Sequence, residues 1–221
     1  MEIQMSDILS KTTLGFAFPA DPATKQPVSF SLEGPLANIV LSGKKPFGVK
    51  SPFRNAGIII DRTVYTQQFR PAFYGLKTTL SDVLINERDV PSDFFVDGFE
   101  IDKWVKKRAG WSKDSLNPKT GERYPYSVGS ARFPDDITKP ARTIITTEGE
   151  RSASRFTHII PASGGRYRRL TPVELERLNM FPDDHTNEAS DVKRGFLMGN
   201  ALVVGVVEKI GSQLAACIAK Q

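Results

Sequence analysis

The sequence contains one cysteine and two histidines among its 221 residues. A single cysteine cannot form a disulfide within the chain, and it is typical of proteins that fold in a reducing compartment. His158 and His185 stand alone, without a second ligand at metal-binding spacing, so no metal site is predicted. Met1–Ser10 carries acidic residues and no apolar core, which argues against a signal peptide. We therefore expect a cytoplasmic protein.

Long hydrophobic runs are also lacking. The longest, Ala201–Val207, is followed by Glu208 and Lys209 and is too short for a bilayer core of about 30 Å. We expect a buried helix there and no membrane partner. Hydrophobic residues make up 39% of the chain and charged residues 25%, a balance that favours a globular protein over a disordered one.

Positive charge is concentrated in one part of the chain. Lys103–Arg169 holds fifteen Lys and Arg against six Asp and Glu, a net of +9, whereas the whole chain carries only +5. A basic segment in an otherwise acidic chain is expected where one surface faces a polyanion. A solvated, Lys/Arg-rich surface is the alternative.

The middle of the chain is predicted to be irregular and rich in β-structure. Two β-rich runs joined by Asp61 and Arg62 indicate a hairpin, and apolar residues on one face predict a helix over Ile101–Arg108. The other expectations are a short helix over Thr79–Leu84, an exposed loop over Gly110–Lys119, and strands over Arg142–Thr147 and Arg155–Ile160.

The last third has clearer helix signals. Thr171-Pro172-Val173-Glu174 forms a capping box with proline at the first helical position, and Pro182 should end that helix near Met180. Asn200 is the predicted N-cap of a second helix that runs to about Ile218. Its first half is apolar all round, so it needs burial on every side. Cys217 is expected to be a small packed side chain in this helix.

Two segments of this region resemble a known family. Arg168–Asp184 reads RRLTPVELERLNMFPDD and Gly195–Val207 reads GFLMGNALVVGVV. They resemble, in order, the ninth and tenth motifs of the DNA (cytosine-5) methyltransferases. Thr143-Ile144 also looks like the Thr-Leu/Val/Ile dipeptide of the family's target recognition domain. The likeness covers roughly Ser51–Ile210.

The family's catalytic motifs are missing from this sequence. It contains no Pro-Cys pair, no Glu-Asn-Val segment, no Phe-x-Gly-x-Gly loop and no Gln-x-Arg-x-Arg motif. The reaction needs a thiolate at C6 of a flipped cytosine, an acid near N3 and a methyl donor near C5. No catalytic residue is therefore assigned in this chain.

The resemblance implies an α+β fold. Residues 1–165 would form an irregular, β-rich target recognition domain, basic from about residue 103. Residues 166–221, which hold the ninth and tenth motifs, would be helical and would dock on the doubly wound α/β catalytic domain of a partner subunit. That partner would carry the Pro-Cys and Phe-x-Gly-x-Gly motifs and share S-adenosylmethionine with this chain.

Several residues are assigned to the cofactor or to the fold of the motifs. The resemblance places Gly199, Asn200, Ala201 and Leu202 at the cofactor, although Gly199-Asn200 could be only a turn and a cap. Four residues of the ninth motif are assigned structural roles, with phosphate contact as a second possibility for the arginines: Arg169, Thr171, Glu174 and Arg177.

Other residues are assigned to double-stranded DNA. Thr143 and Ile144 would lie near the flipped base, although Thr143 could be an ordinary strand residue. Arg151, Ser154 and Arg155 are assigned to a recognition loop, where arginine can read guanine edges or clamp phosphates. Phosphate contacts, which position the duplex without reading its sequence, are predicted for the α-helical residues Lys103, Lys106, Lys107 and Arg108, with a solvated helix face as the alternative.

The predicted function is DNA recognition within a split DNA (cytosine-5) methyltransferase of a restriction-modification system. In such an enzyme this chain would position the duplex and the partner would methylate the flipped cytosine. This chain alone would then be inactive. The alternatives are a stand-alone DNA-binding protein or relic, and a fragment of one longer enzyme.

Overall fold

The computed structural model describes residues 12–23, 27–32, 53–118 and 120–219. The helices are α1 (Thr13–Ala17), α2 (Ile101–Arg108), α3 (Pro172–Leu178), α4 (Asp191–Asn200) and α5 (Val204–Ile218). The strands are β1 (Ala20–Pro22), β2 (Val28–Ser31), β3 (Ala56–Ile60), β4 (Thr63–Gln67), β5 (Phe69–Pro71), β6 (Trp111–Leu116), β7 (Arg123–Val128), β8 (Ile159–Pro161) and β9 (Tyr167–Arg169). Short 3-10 turns occupy Leu80–Val83, Glu87–Asp89, Ser92–Phe94, Gly98–Glu100 and Ser163–Gly165.

The chain divides into two compact units. One consists of residues 1–75 and 208–221, and the other of residues 76–207. Small antiparallel sheets and helices occur in the same chain, so the predicted α+β class is confirmed. The assignment of residues 1–165 to recognition and 166–221 to docking concerns function and stays a prediction.

The first unit contains the predicted hairpin. β3 and β4 pair antiparallel, from Ala56 opposite Gln67 to Ile60 opposite Thr63. The two turn residues, Asp61 and Arg62, have φ of 44° and 64°, as a tight two-residue hairpin turn requires. β2 pairs on the other edge of β4, so β4 is the central strand of a three-stranded sheet.

The second unit has its own apolar core. Leu80, Val83, Ile160, Leu170, Leu175 and Met198 pack together there. They come from the first 3-10 turn, β8, the residue that follows β9, α3 and α4. One core thus joins elements that lie more than a hundred residues apart in sequence.

The start of α3 confirms the predicted capping box. The Glu174 N–H donates to Thr171 Oγ1 over 3.4 Å, and the Thr171 N–H donates to Glu174 Oε2 over 2.7 Å. Pro172 occupies the first helical position. After α3, Met180 has a positive φ of 63°, so the chain turns away before Pro182.

α2 has the predicted bounds, but the exposed loop after it was a wrong prediction. Trp111–Leu116 forms β6, which pairs antiparallel with β7 from Trp111 opposite Val128 to Leu116 opposite Arg123. Gly110 allows the tight start of this hairpin, because a Cβ there would lie 2.9 Å from the Ser130 nitrogen. The hairpin is nevertheless solvent-exposed along most of its length.

The prediction of a strand over Arg142–Thr147 was also wrong. The Arg142 N–H donates to a side chain, His158 Nε2, over 3.1 Å. The Glu148 N–H closes a turn onto the Ile145 carbonyl at 3.0 Å. Backbone groups satisfied in these ways do not form a ladder with a neighbouring strand, so the segment is irregular. Of the predicted strand Arg155–Ile160, only its end belongs to β8.

Asn200 does not cap a helix N-terminus, contrary to prediction. It is the last residue of α4, and its Nδ2 donates back to the Phe196 carbonyl over 2.9 Å. The next helix, α5, begins at Val204, whose N–H donates to the Asn179 carbonyl over 2.9 Å. Residues 201–203 were predicted to be helical, but they lie between α4, which was not predicted, and α5.

The expectation that α5 is buried on every side was wrong as well. No residue of α5 is fully buried, and Val206, Val207, Leu214 and Ile218 are among its exposed apolar side chains. Taken together, Asp191–Ile218 is long and apolar enough to cross a membrane, and its most apolar 18-residue window has a mean hydropathy of 1.6. The break after Asn200 divides it into helices of 10 and 15 residues, each shorter than the about 20 residues that a span needs.

Candidate nucleic-acid and cofactor interface

A buried histidine holds the segment that contains Thr143 and Ile144. His158 Nε2 accepts the Arg142 N–H, so its proton lies on Nδ1, which donates to Glu148 Oε1 over 2.9 Å. The same carboxylate oxygen accepts the His158 N–H over 2.6 Å. Both side chains are fully buried. The pair thus fixes both ends of the 142–148 segment.

A second buried group lies beside this pair. Asp135 accepts hydrogen bonds from Arg108 Nη2 at 2.9 Å and from Arg142 Nε at 2.7 Å. It also accepts the Ile159 N–H at 2.8 Å. Burial raises the pKa of Asp135, but hydrogen bonds from Arg142, Arg108 and Ile159 outweigh it and lower the pKa to about 2. Asp135 is therefore ionised at neutral pH and forms ion pairs with both guanidinium groups.

This arrangement corrects the prediction for Arg108. Its side chain is 1% exposed, and its Nη2 also donates to the Thr157 carbonyl over 2.6 Å. It cannot lie on an open helix face with the lysines of α2. Lys103, Lys106 and Lys107 are exposed as predicted, and Lys103 forms a surface ion pair with Glu100 at 3.2 Å.

A cavity of about 530 Å³ opens beside the Thr143-Ile144 segment. Asn179 and Met180 line it from the end of α3, and Gly199 and Ala201 line it from the end of α4. Asn179 Nδ2 donates to the Met198 carbonyl over 2.8 Å and holds these two ends together. The cavity is thus lined both by Thr143-Ile144 and by residues of the ninth and tenth motifs.

Two glycines bring α4 against this segment. A Cβ on Gly199 would lie 2.3 Å from the Ile145 carbonyl carbon, and one on Gly195 would lie 2.5 Å from the Gly149 nitrogen. These separations are far below van der Waals contact, so only glycine fits. The glycines of GFLMGN therefore serve backbone packing against residues 145–149.

The four residues assigned to the cofactor do not all face the cavity. Gly199 and Ala201 line the cavity, whereas Asn200 and Leu202 are exposed, Leu202 at 73%. Asn200 ends a helix and is not the predicted N-cap, so no helix start at Asn200 offers free N–H groups to a ligand. A cofactor role for these residues would instead rest on exposed side chains at the break between α4 and α5.

The ninth motif is held by buried ion pairs. Arg168 donates two hydrogen bonds to Glu174, at 2.8 and 2.7 Å, and Glu174 also accepts the Ile85 N–H at 3.0 Å. Arg194 Nη2 and Glu176 Oε1 form a second pair at 2.8 Å. The roles of Arg168, Glu176 and Arg194 were not predicted, because tertiary contacts place each of these side chains.

Arg169 and Arg177 contact neighbouring backbone and side chains. Arg169 Nη2 donates to the Asp93 carbonyl over 2.8 Å, and its guanidinium lies 4.8 Å from the centre of the Phe94 ring. Arg177 Nη2 lies 2.6 Å from Asp183 Oδ2, and its Nη1 donates to the Val83 carbonyl over 3.2 Å. Both geometries brace the chain, in keeping with a structural assignment.

The residues assigned to the recognition loop already have protein contacts. Arg151 Nη2 and Asp93 Oδ2 form an exposed ion pair at 2.5 Å. Arg155 Nη2 donates to the Gly129 carbonyl over 2.5 Å, and its Nη1 is buried. Ser154 Oγ accepts the Phe156 N–H over 3.1 Å. In this geometry Arg155 supports the β6–β7 hairpin, and Arg151 is the more accessible of the two arginines.

Within the described parts of the chain, no group of three or more His, Cys, Asp or Glu side chains could hold a metal. His158 instead holds residues 142–148, and His185 stacks on Phe181 with 4.7 Å between ring centres. Cys217 Sγ lies 3.8 Å from Thr13 Oγ1.

Comparison with known proteins identifies the family. The model of the C-5 cytosine-specific DNA methylases matches residues 64–216. The chain is 38% identical over 162 residues to the type II methyltransferase M.Sau3AI of Staphylococcus aureus. That alignment covers 73% of this chain but only 38% of the relative, so the chain spans about two fifths of the relative's length. On these matches, the chain belongs to the C-5 cytosine-specific DNA methylase family.

Proposed function

We propose that this chain is the DNA-recognition subunit of a split DNA (cytosine-5) methyltransferase. It holds double-stranded DNA so that a separate catalytic subunit methylates a flipped cytosine. The single observation that carries the proposal is an asymmetry of motifs. Both closing motifs are present and folded around one cavity, whereas the sequence has no Pro-Cys or Glu-Asn-Val segment.

The tenth-motif region supports docking on a catalytic subunit. Leu202 is 73% exposed, and Val206 and Val207 are 42% and 48% exposed. Neighbouring apolar side chains left in water mark a surface that another protein can cover. A catalytic domain packed there would remove this apolar area from water.

The cofactor would be S-adenosylmethionine, which supplies the methyl group. The residues present suit one edge of such a site. Asn200 offers an exposed amide, Leu202 an apolar side chain, and Gly199 and Ala201 a close backbone. The remainder of the site would come from the catalytic subunit, since this sequence lacks the Phe-x-Gly-x-Gly loop.

Co-expression tests the proposal. The chain would be produced with the methyltransferase-like protein encoded next to it, one that carries Pro-Cys and Phe-x-Gly-x-Gly motifs. Methyl transfer to duplex DNA is then measured for each protein and for the pair. We expect activity from the pair only. Activity of this chain alone, or a pair that neither associates nor methylates, would contradict the proposal.

A substitution at Asn200 tests the cofactor assignment within the active pair. We expect Asn200→Ala to lower affinity for S-adenosylmethionine while DNA affinity stays nearly unchanged. Asn187→Ala, at another exposed asparagine of the same unit, is the control. Normal cofactor affinity together with lost DNA binding would reverse the assignment.

One observation favours a second candidate, a DNA-binding protein that acts without a methyltransferase partner. The unit of residues 76–207 has its own core and buried ion pairs, so it has the means to fold alone. A monodisperse monomer that binds duplex DNA and ignores the catalytic protein would support this candidate. The exposed apolar side chains around α5 count against it.

A further inference from the structure

The β6–β7 hairpin is an exposed element with no assigned role. Its two six-residue strands pair only with each other, and nearly every side chain on both faces is exposed. An isolated two-stranded hairpin is at best marginally stable in water. Such a hairpin gains order when a partner covers one face.

The two faces of this hairpin differ in chemistry. Directly paired residues share a face, so Trp111, Lys113, Tyr124 and Tyr126 lie on one side. This aromatic face carries a lysine and no carboxylate. Asp114 and Arg123 lie on the opposite side, with Ser112 and Ser127. A polyanion can therefore approach the aromatic face without meeting negative charge.

Side chains of the aromatic face contact one another while they remain exposed to solvent. Trp111 and Tyr126 have ring centres 5.7 Å apart, and Lys113 Nζ lies 5.6 Å from the centre of the Trp111 ring. Trp111 is 46% exposed and Tyr126 43%. The indole N–H, the phenol hydroxyl and the ammonium group are donors suited to guanine and thymine edges, and the rings suit a thymine methyl group.

The base of the hairpin is fixed while its strands project. The Ala131 N–H donates to the Arg108 carbonyl over 2.8 Å, and buried Arg108 donates to the Arg132 carbonyl over 2.7 Å. Arg155 holds the Gly129 carbonyl at 2.5 Å. The exposed lysines of α2 precede the hairpin by only a few residues, where they can meet phosphates beside a groove.

We propose that the β6–β7 hairpin enters the major groove of duplex DNA and that its aromatic face reads base edges. The inference rests on the proposed recognition function and names the element that carries it out. A ribbon of two strands fits the major groove, which is about 12 Å wide. Six residues per strand give it a length of roughly 20 Å.

The test compares two pairs of substitutions on opposite faces. Trp111→Ala with Tyr126→Ala removes aromatic side chains of the proposed reading face. Ser112→Ala with Ser127→Ala, a directly paired couple on the other face, is the matched control. The full chain first selects duplexes from a randomised 30-base-pair pool. Affinities for a selected duplex and a scrambled duplex are then measured, and circular dichroism checks that each variant is folded.

We expect the aromatic double variant to lose about tenfold or more of the preference for the selected duplex, as for loss of one good base contact. The control should keep its preference. An unchanged preference in the aromatic variant would overturn the proposal, as would an equal loss on both duplexes. Unchanged preference with lost binding to the catalytic protein would make this face a protein interface instead, which also overturns it.

The same experiment separates this inference from the proposed function. If the wild-type chain, alone and with its catalytic partner, shows no salt-dependent binding to any duplex, both ideas fail. If wild type binds and selects a sequence but the aromatic variant selects the same one equally well, only the role of the hairpin fails.

Discussion

The surroundings of Thr143 and those of α5 differ in the side chains they contain: buried, hydrogen-bonded polar groups in the first and exposed apolar groups in the second. Around Thr143, buried polar side chains are held by hydrogen bonds: Asp135 accepts from Arg108 and Arg142, and Glu148 accepts from His158. Around α5, apolar side chains such as Val206 and Leu214 remain exposed. Hydrogen bonds between buried side chains hold the backbone around Thr143 in one shape. The exposed apolar surface around α5 is the feature that supports the proposed docking on a catalytic subunit.

The largest expected effect concerns the buried pair of the ninth motif. Glu174→Gln leaves the Arg168 guanidinium buried without a counter-charge, since the two groups are 3% and 0% exposed. We expect a loss of about 3–5 kcal/mol in the free energy of unfolding, measured by urea denaturation. Exposed Glu188→Gln is the control and should change stability by less than about 0.5 kcal/mol. A similar small change in both variants would show that the region does not depend on this pair.

Acid should lower the free energy of unfolding as the pH falls from about 4 towards 2, because Asp135 becomes protonated there. Its folded pKa of about 2 lies below the ordinary value of 3.8, so its stabilisation is complete above pH 4 and is lost as the pH falls towards 2. The difference corresponds to about 2 kcal/mol. Denaturant titrations at pH 5, 4 and 3 should show this slope, and Asp135→Asn should reduce it. An unchanged slope in that variant would assign the acid sensitivity to other carboxyl groups.

Much of the local structure could be predicted from sequence because its causes lie within a few residues. The Asp61-Arg62 turn, the Thr171–Glu174 capping box and the bounds of α2 belong to this class. The buried position of Arg108 could not be predicted, because Asp135 lies 27 residues further on.

Contacts between distant residues also account for one wrong prediction and one unforeseen role near the site. The break after Asn200 depends on Asn179, whose carbonyl accepts the first N–H of α5, and an apolar run gives no sign of it. His158 carries no motif, and its role appears only when Arg142 and Glu148 are brought to it. The ninth and tenth motifs indicated which parts meet at the cavity, but not the contacts that hold them.

A smaller effect on stability is expected where α4 packs against residues 145–149. Gly199→Ala places a methyl group 2.3 Å from the Ile145 backbone, and we expect a loss of about 1–3 kcal/mol in stability from overpacking. Gly211→Ala in α5, where a Cβ would meet nothing within 4 Å, is the matched control and should be neutral or slightly stabilising. Equal melting temperatures for both variants would show that the close packing is not needed.

The smallest effect on stability is expected from a double substitution near α5 that should strongly weaken binding to the proposed catalytic subunit. Leu202→Ser with Val206→Ser changes exposed side chains, so stability should shift by less than about 1 kcal/mol in total. Binding to the catalytic protein, measured by calorimetry, should weaken at least tenfold. Phe99→Ser, at an apolar residue that is 79% exposed outside the motifs, is the control. Unchanged binding in the double variant would remove α5 from the interface.

The location of the reactive thiol tests the central claim most directly. A duplex containing 5-fluorocytosine at the target traps the covalent adduct, because the fluorine cannot leave as a proton does. The pair of proteins is incubated with this duplex and S-adenosylmethionine, and the adduct is identified by mass spectrometry. We predict an adduct on the catalytic protein and none on this chain, including its single cysteine, Cys217. An adduct on Cys217 that disappears in Cys217→Ser would contradict the account.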